Sequence, residues 1–384
     1  MGTLTTPSLD ELRTQVGALA SPPTGTRLAL RTVSADAYDL HTWPEAHGAL
    51  IQVASQFNLL EMPGYDTTPE HGITAYEHDH TQGPACARAC APATVFRNYL
   101  VPVDGHRGQT ATRQINTLRD LDRAIGIPGI RMQNGYALLD AETVRAIGQH
   151  IQGLDEAGRD ELRRQLRIGL HSDTEVTADD APPQQRVTQA FCSALPVAYN
   201  RTPSSDWAPF ASLVLEASYE ATLLAAVLNH QQTANPKVYL TTVGGGAFGN
   251  ERGWILQALR RALHCVRDYP LDVAVVCFNE VSQDLVDLSA EISAGLLTHN
   301  TGTSLRSASH VLGASAIFRG ALRFHQRSPT HQEAHPIRRH ADCLWQFHTV
   351  KRQARRASVA GALARYIAGN KRCVQFRKRR FLFR

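Results

Sequence analysis

The segment from residue 237 to 278 constrains this chain more than any other. An apolar, β-prone run, Val238-Tyr239-Leu240-Thr241-Thr242-Val243, leads straight into Gly244-Gly245-Gly246-Ala247-Phe248-Gly249-Asn250. Helical spacing follows over residues 254–266, and a second apolar run over 271–278. A strand, a helix and a second strand in this order imply neighbouring parallel strands in a sheet covered on both faces. The fold class predicted is α/β, a three-layer α/β/α arrangement around a mixed sheet.

The rest of the chain supplies further elements of that kind. Ser8, Asp10 and Glu11 open a helix that ends near residue 20, before Ser21-Pro22-Pro23. Residues 28–33 and 49–53 read as strands, and so do 136–139, behind a Gln133-Asn134-Gly135 turn, and 186–195. Helical spacing appears over 114–125, 141–151, 155–166 and, as a long apolar helix, 207–230. Between residues 56 and 84 the chain is polar, punctuated by Gly and Pro and without helical period; loops of that length tend to carry function.

Of 384 residues, 43% are hydrophobic and 20% charged, a globular balance rather than a disordered, fibrous or membrane one. The first ten residues have neither a basic nor an apolar leader region, so the expectation is an intracellular protein, cytoplasmic or nuclear. Seven cysteines, odd in number and several in apolar patterns, fit reduced thiols. Cys86 and Cys90 have the spacing of half a metal site, but no second pair follows, and no metal is assigned.

Charge divides the chain. Residues 301–384 carry 18 Lys or Arg against 2 Asp or Glu, leaving 22 against 33 in the preceding part. The expected organisation is a helical N-terminal extension over 1–27, the α/β domain over 28–296 and a basic C-terminal tail over 297–384. Within the tail, residues 354–368 suit a short basic helix. Residues 371–384 suit either nucleic-acid contact, since Lys and Arg clusters attract phosphate, or a solvated tail.

Glycines between a strand and a helix let the backbone approach an anion, and the helix's first free N–H groups point at it. Three consecutive glycines exceed what a tight turn requires, which favours a diphosphate ligand over simple packing. Gly244, Gly246 and Gly249 also satisfy G-x-G-x-x-G, yet the ribose-binding acid expected about 20 residues on is not found there; the next strand ends near Asn279, some 30 residues beyond. No Gly-Lys-Ser/Thr follows the loop, which excludes a P-loop.

Three segments together resemble the macrodomain superfamily, its poly(ADP-ribose) glycohydrolase-like branch and the divergent MavL-like ADP-ribosyl hydrolases. They are Val53-Ala54-Ser55-Gln56-Phe57-Asn58, a strand entering a ligand cleft; residues 72–87, where glycohydrolases carry an acidic catalytic loop, followed by a helix over 93–99; and residues 242–255, similar to the superfamily's diphosphate loop. The resemblance spans about residues 28–296. It implies ADP-ribose as ligand or product, an ADP-ribosylated protein as partner, no required cofactor and no membrane. The Gly-Gly-Gly then Gln-Glu-Glu signature of glycohydrolases is absent near Asn58–Gln82, so the linkage cleaved does not carry over.

Cleaving an ADP-ribosyl bond passes through an oxocarbenium-like centre and needs a carboxyl group to direct water or stabilise charge. The long loop offers Glu61, Asp66, Glu70, Glu77 and Asp79 among His71, His78 and His80. Asp79, beside the Thr81-Gln82-Gly83-Pro84 turn, is the first catalytic candidate, then Glu61, then Glu70. A divalent ion held by the histidines and acids is the lesser reading. The resemblance places Gln56 and Asn58 on the distal ribose, Phe248 against ribose or base, and Phe278 and Asn279 beside the adenine; Ser55, Thr81, Gln82 and the residues Gly244 to Asn250 complete the ligand set. Asp173-Thr174-Glu175 reads as a cap or a reserve acidic cluster. The functions in competition are an ADP-ribosyl hydrolase, a non-catalytic ADP-ribose reader and an NAD-dependent oxidoreductase.

Overall fold

A computed structural model describes residues 1–278 and 280–294. Its strands are β1 (Thr3–Thr5), β2 (Ala29–Ser34), β3 (Leu50–Ala54), the small hairpins β4 (Pro102–Val103) with β5 (His106–Arg107) and β6 (Arg131–Gln133) with β7 (Tyr136–Leu138), then β8 (Gly169–Glu175), β9 (Arg186–Cys192), β10 (Lys237–Leu240) and β11 (Asp272–Cys277). Seven of them form one sheet in the order β1-β8-β9-β3-β10-β11-β2. From β9 to β2 every neighbouring pair is parallel, whereas β8 runs antiparallel to both β9 and β1. The sheet is therefore mixed.

Alternation along the strands divides the core between two faces. Ile51, Val53, Phe191, Tyr239 and Ala274 face α2 (Ala37–Leu40), α3 (Gln82–Ala89) and α4 (Ala91–Val95). Leu50, Ala190, Val238, Leu240, Val273 and Val275 face the other layer, built from α1 (Leu9–Gly17), α5 (Arg119–Ile125), α6 (Ala141–Gly153), α7 (Glu156–Arg164), α8 (Ser204–Thr233), α9 (Arg252–Cys265) and α10 (Gln283–Ser293). This is the three-layer α/β/α arrangement. Helix α8 has the length and apolarity of a membrane span, but it lies beneath the sheet with α1, α6 and α9 around it, and nearly all its apolar residues are buried.

Residues 1–27, expected as an extension, are built into this domain. Strand β1 pairs with β8 through Thr3 opposite Ser172 and Thr5 opposite Leu170. Leu9, Leu12 and Val16 are buried on one face of α1. Beside them Arg13 binds Glu220 of α8 at 2.6 Å and Asp160 of α7 at 2.7 Å. Ser8 caps α1 in a capping box with Glu11, so the helix that the sequence made visible in this segment is present and starts where expected.

Two other expectations change. Of residues 114–125 only Arg119–Ile125 is helical, because Gln114 binds Asn58 at 2.8 Å and Asn134 at 2.9 Å and holds its segment in a loop. Asp173-Thr174-Glu175 is neither a cap nor near the cleft; it ends β8, and Asp173 at φ 56° sits in an irregularity between His171 and Thr174 that hides the strand's alternation. The tail readings at 297–384, 354–368 and 371–384 lie outside the described residues, as does Asn279.

Two buried histidines give the fold a pH limit. His41 is held neutral, donating from Nδ1 to the Ala37 carbonyl at 2.6 Å and meeting the Gln189 amide at Nε2. Burial lowers it to about 4 and His171 to about 3. Both groups bind protons more weakly folded than unfolded, so their contribution is complete above about pH 6.5 and is lost as pH falls toward 4. For His41 alone the loss is roughly 3 kcal/mol. Melting temperature should fall over this window, and His41→Gln should flatten part of the fall; parallel profiles for variant and wild type would refute the assignment.

Candidate functional site

The chain leaves β3 toward α3 on one face of the sheet and leaves β10 toward α9 on the other. Between two such departures the carboxyl ends of parallel strands border a crevice, where α/β sheets bind ligands. A cavity of about 650 Å³ lies there. It is walled by residues following β2 (Asp36), β3 (Ser55, Gln56, Glu61), β9 (Tyr199), β10 (Thr241 to Gly244, Gly246 to Phe248) and β11 (Phe278). That volume suits a ligand of nucleotide size.

The glycine loop forms one wall, and its N–H groups divide into two sets. Gly245 donates to Thr242 at 3.1 Å, Gly249 to Gly246 at 3.0 Å and Asn250 to Gly244 at 2.9 Å, which fold the loop on itself. The N–H groups of Gly244, Gly246, Ala247 and Phe248, all four in cavity-lining residues, have no acceptor among the described residues. Gly244 at φ 78° and Gly249 at φ 68° occupy the left-handed region that the turn into α9 requires. Asn250 closes the loop from below, its amide donating to Leu195 at 2.8 Å. Beneath, the Tyr219 hydroxyl of α8 donates to Thr241 at 2.7 Å and accepts from Val243 at 2.9 Å. The loop thus presents unpaired donors next to the N-terminus of a 14-residue helix, an arrangement that attracts anions.

Opposite stand the acids. Glu61 is 2% exposed. Its Oε1 lies 3.4 Å from the fully buried Arg97, while Oε2 has no partner among the described residues. Desolvation pushes this carboxyl up to about 7, against the pull of Arg97. Arg97 is fixed from behind, stacked 3.9 Å over Phe191 and donating to the Leu59 carbonyl at 3.0 Å. Asp79 lines the same cavity, and its Oδ1 accepts from the Thr81 N–H at 2.9 Å and hydroxyl at 2.7 Å. Glu70 is not there: its carboxylate accepts from the Ala111 N–H at 2.9 and 3.0 Å, ties two loops together and lies below its ordinary pKa.

The expected ligand residues fall into lining and supporting groups. Ser55, Gln56, Thr81, Gln82, Gly244, Gly246, Ala247, Phe248 and Phe278 line the cavity, Phe278 being 66% exposed. Asn58, Gly245, Gly249 and Asn250 do not. Asn58 is wholly buried, its amide donating to Gln114 and its carbonyl oxygen accepting from Leu60, so it shapes the loop instead of facing the cavity. Gln82, although at the wall, spends its amide on the Ala54 N–H and the Gln52 carbonyl, pinning α3 to the end of β3. Among the described residues no His, Cys, Asp or Glu cluster suits a metal ion, and Cys86 and Cys90 are buried free thiols.

Several lining residues have no counterpart in the sequence reading. Tyr136, Tyr199 and Phe248 pack against one another in tilted and edge-to-face arrangements at centroid distances of 5.4 to 5.6 Å, an aromatic wall gathered from three distant segments. Asp36 caps α2, accepting from Tyr38 at 2.7 Å. Arg252 opens α9. Its signal was legible: a cation in the first turn of a helix is electrostatically misplaced unless something nearby carries negative charge.

The fold and site define an α/β protein with a cleft at the carboxyl edge of its sheet, one wall of which carries unpaired N–H donors. Among solved structures it is similar to the poly(ADP-ribose) glycohydrolase of Deinococcus radiodurans in complex with ADP-ribose, at 11% identity and a TM-score of 0.43 over 76% of this chain and 94% of that one. The glycohydrolase of Thermomonospora curvata is similar at 13% identity and 0.35 over 76% and 85%. An alphavirus protein described as P23pro-zbd is similar at 12% and 0.32 over 73% of this chain and 26% of that one. No family model matches the sequence, and no curated protein does.

Proposed function

We propose that the cleft binds ADP-ribose and that the protein hydrolyses an ADP-ribosyl bond to protein. One observation carries this reading. Four unpaired N–H groups on the glycine loop share a cavity with a buried carboxyl group whose pKa lies near neutrality. The donors suit a diphosphate and the carboxyl suits proton transfer, since general acids work best with a pKa close to the working pH. In this scheme the diphosphate rests on the loop, the base on Phe278 and the end of β11, and the distal ribose between Gln56 and the acids. Glu61 donates its proton to the departing group as the C1 bond breaks, and Asp79, the more exposed of the two acids, orients the water that attacks C1 of the ribose and accepts its proton. The ADP-ribose-bound glycohydrolase noted above is compatible with this ligand.

Calorimetry with ADP-ribose and NAD, followed by release assays on arginine-, serine- and acid-linked ADP-ribosyl proteins, tests the proposal. Binding of ADP-ribose without release from any linkage makes the protein a reader; tighter binding of NAD favours the oxidoreductase.

The roles have a pH signature. Glu61 has a folded pKa raised from 4.5 to about 7, so it keeps its proton below that value and loses it above. As general acid it requires the protonated form, and kcat should therefore fall tenfold per pH unit above about 7. A rate that instead rises through pH 7 would reassign Glu61 as the base.

A further inference from the structure

Among the described residues lining the cavity, Arg252 is the one lysine or arginine, set against Asp36, Glu61, Asp79 and Glu280. It follows the glycine loop as the first residue of α9, and its guanidinium meets Asp284 and Ser282 at the start of α10. A cation there faces the positive end of the helix dipole and needs a countercharge. Asp284 supplies it and is held well below the usual carboxylate range in return. The pair is half-exposed, 48% for Arg252 and 36% for Asp284, and exposed pairs are weak enough to exchange partners. A diphosphate placed against the free N–H groups of Gly244, Gly246, Ala247 and Phe248 enters a wall carrying four carboxyl groups, where four neutral donors alone leave its charge uncompensated.

We propose that Arg252 is the charge-bearing ligand of the diphosphate and Asp284 its resting partner, so that ligand and carboxylate compete for one guanidinium. The inference rests on the diphosphate reading of the glycine loop. It makes binding and the tether of α10 mutually exclusive: when Arg252 turns to the phosphates, Ser282 and Asp284 are released at the rim of the same cavity.

Calorimetry with ADP-ribose on the full chain tests this through variants of opposite sign. Asp284→Asn keeps an acceptor for the Leu285 N–H, now at 2.9 Å, but frees Arg252. It should bind ADP-ribose roughly fivefold more tightly, the effect of removing one surface ion pair from competition. Arg252→Gln should bind about tenfold more weakly, Arg252→Lys should recover part of the loss, and the double variant should match Arg252→Gln alone. Adenosine, which lacks phosphates, should bind all of them alike. In hydrogen exchange, ADP-ribose should deprotect residues 283–286 of wild type and not of Arg252→Gln. Weaker or unchanged binding by Asp284→Asn, with an unaltered melting curve, overturns the competition and leaves the loop assignment standing. Failure of wild type to bind ADP-ribose overturns both.

Discussion

Glu61→Gln is expected to lower the rate of ADP-ribose release by about 10²–10⁴-fold, the range over which general acid–base assistance operates. Gln keeps the shape of the side chain but cannot give up a proton to the leaving group. Above about pH 7, where Glu61 is ionised, the substitution also removes the ionic partner of the buried Arg97 guanidinium, and breaking such a pair costs on the order of 3–5 kcal/mol; below that value Gln replaces a neutral carboxyl group. Stability and rate must therefore be measured together. A useful control is Asp79→Asn, which lies beside Thr81 at the wall and has no buried counterion. It should lose at least two decades of rate while keeping both its melting curve and its affinity for ADP-ribose. If wild type releases ADP-ribose and neither variant slows it, the chemistry does not lie with these two acids.

Gly246→Asp should abolish ADP-ribose binding without unfolding the protein. A Cβ at Gly246 would meet nothing within 4 Å, and its backbone does not lie in the left-handed region, so a side chain is sterically admissible. What changes is charge: a carboxylate would stand among the donors meant for the diphosphate. Gly244→Asp is the contrasting variant, because there a Cβ would come within 2.5 Å of Ala194 and the residue has φ 78°; that substitution should lower the melting temperature as well. Unchanged affinity in Gly246→Asp with an unchanged melting curve would refute the phosphate-loop assignment.

The sequence carried the β10–β11 part of the sheet because that part is local. Strands β10 and β11, the loop between them and α9 announce themselves through period and glycine, with ends within a few residues of those expected. The β1–β8 edge was illegible: β1 is three residues long, β8 carries an irregularity, and their pairing spans about 165 residues. Helical patterning also failed at residues 114–118, where side-chain amides bind other loops. For the site, sequence proximity nominated five acids without ranking burial. Glu61 and Asp79 reach the cavity, whereas Glu70 is drawn off by Ala111. At Gly83, in the first turn of α3, a Cβ would lie 2.1 Å from the Ala54 carbonyl and 3.0 Å from Glu61 Cγ, so this part of the wall admits no side chain beside Glu61.

The hydroxyl of Tyr219, clasping Thr241 and Val243 from the middle of α8, bears on the entropy of recognition. A glycine-rich loop free to sample many conformations would surrender that freedom on each encounter with a ligand, a cost that reduces affinity. Here the cost is met during folding, when α8 buries its ring and fixes the strand end. Recognition by the loop is accordingly preorganised, and its ordering entropy belongs to the core.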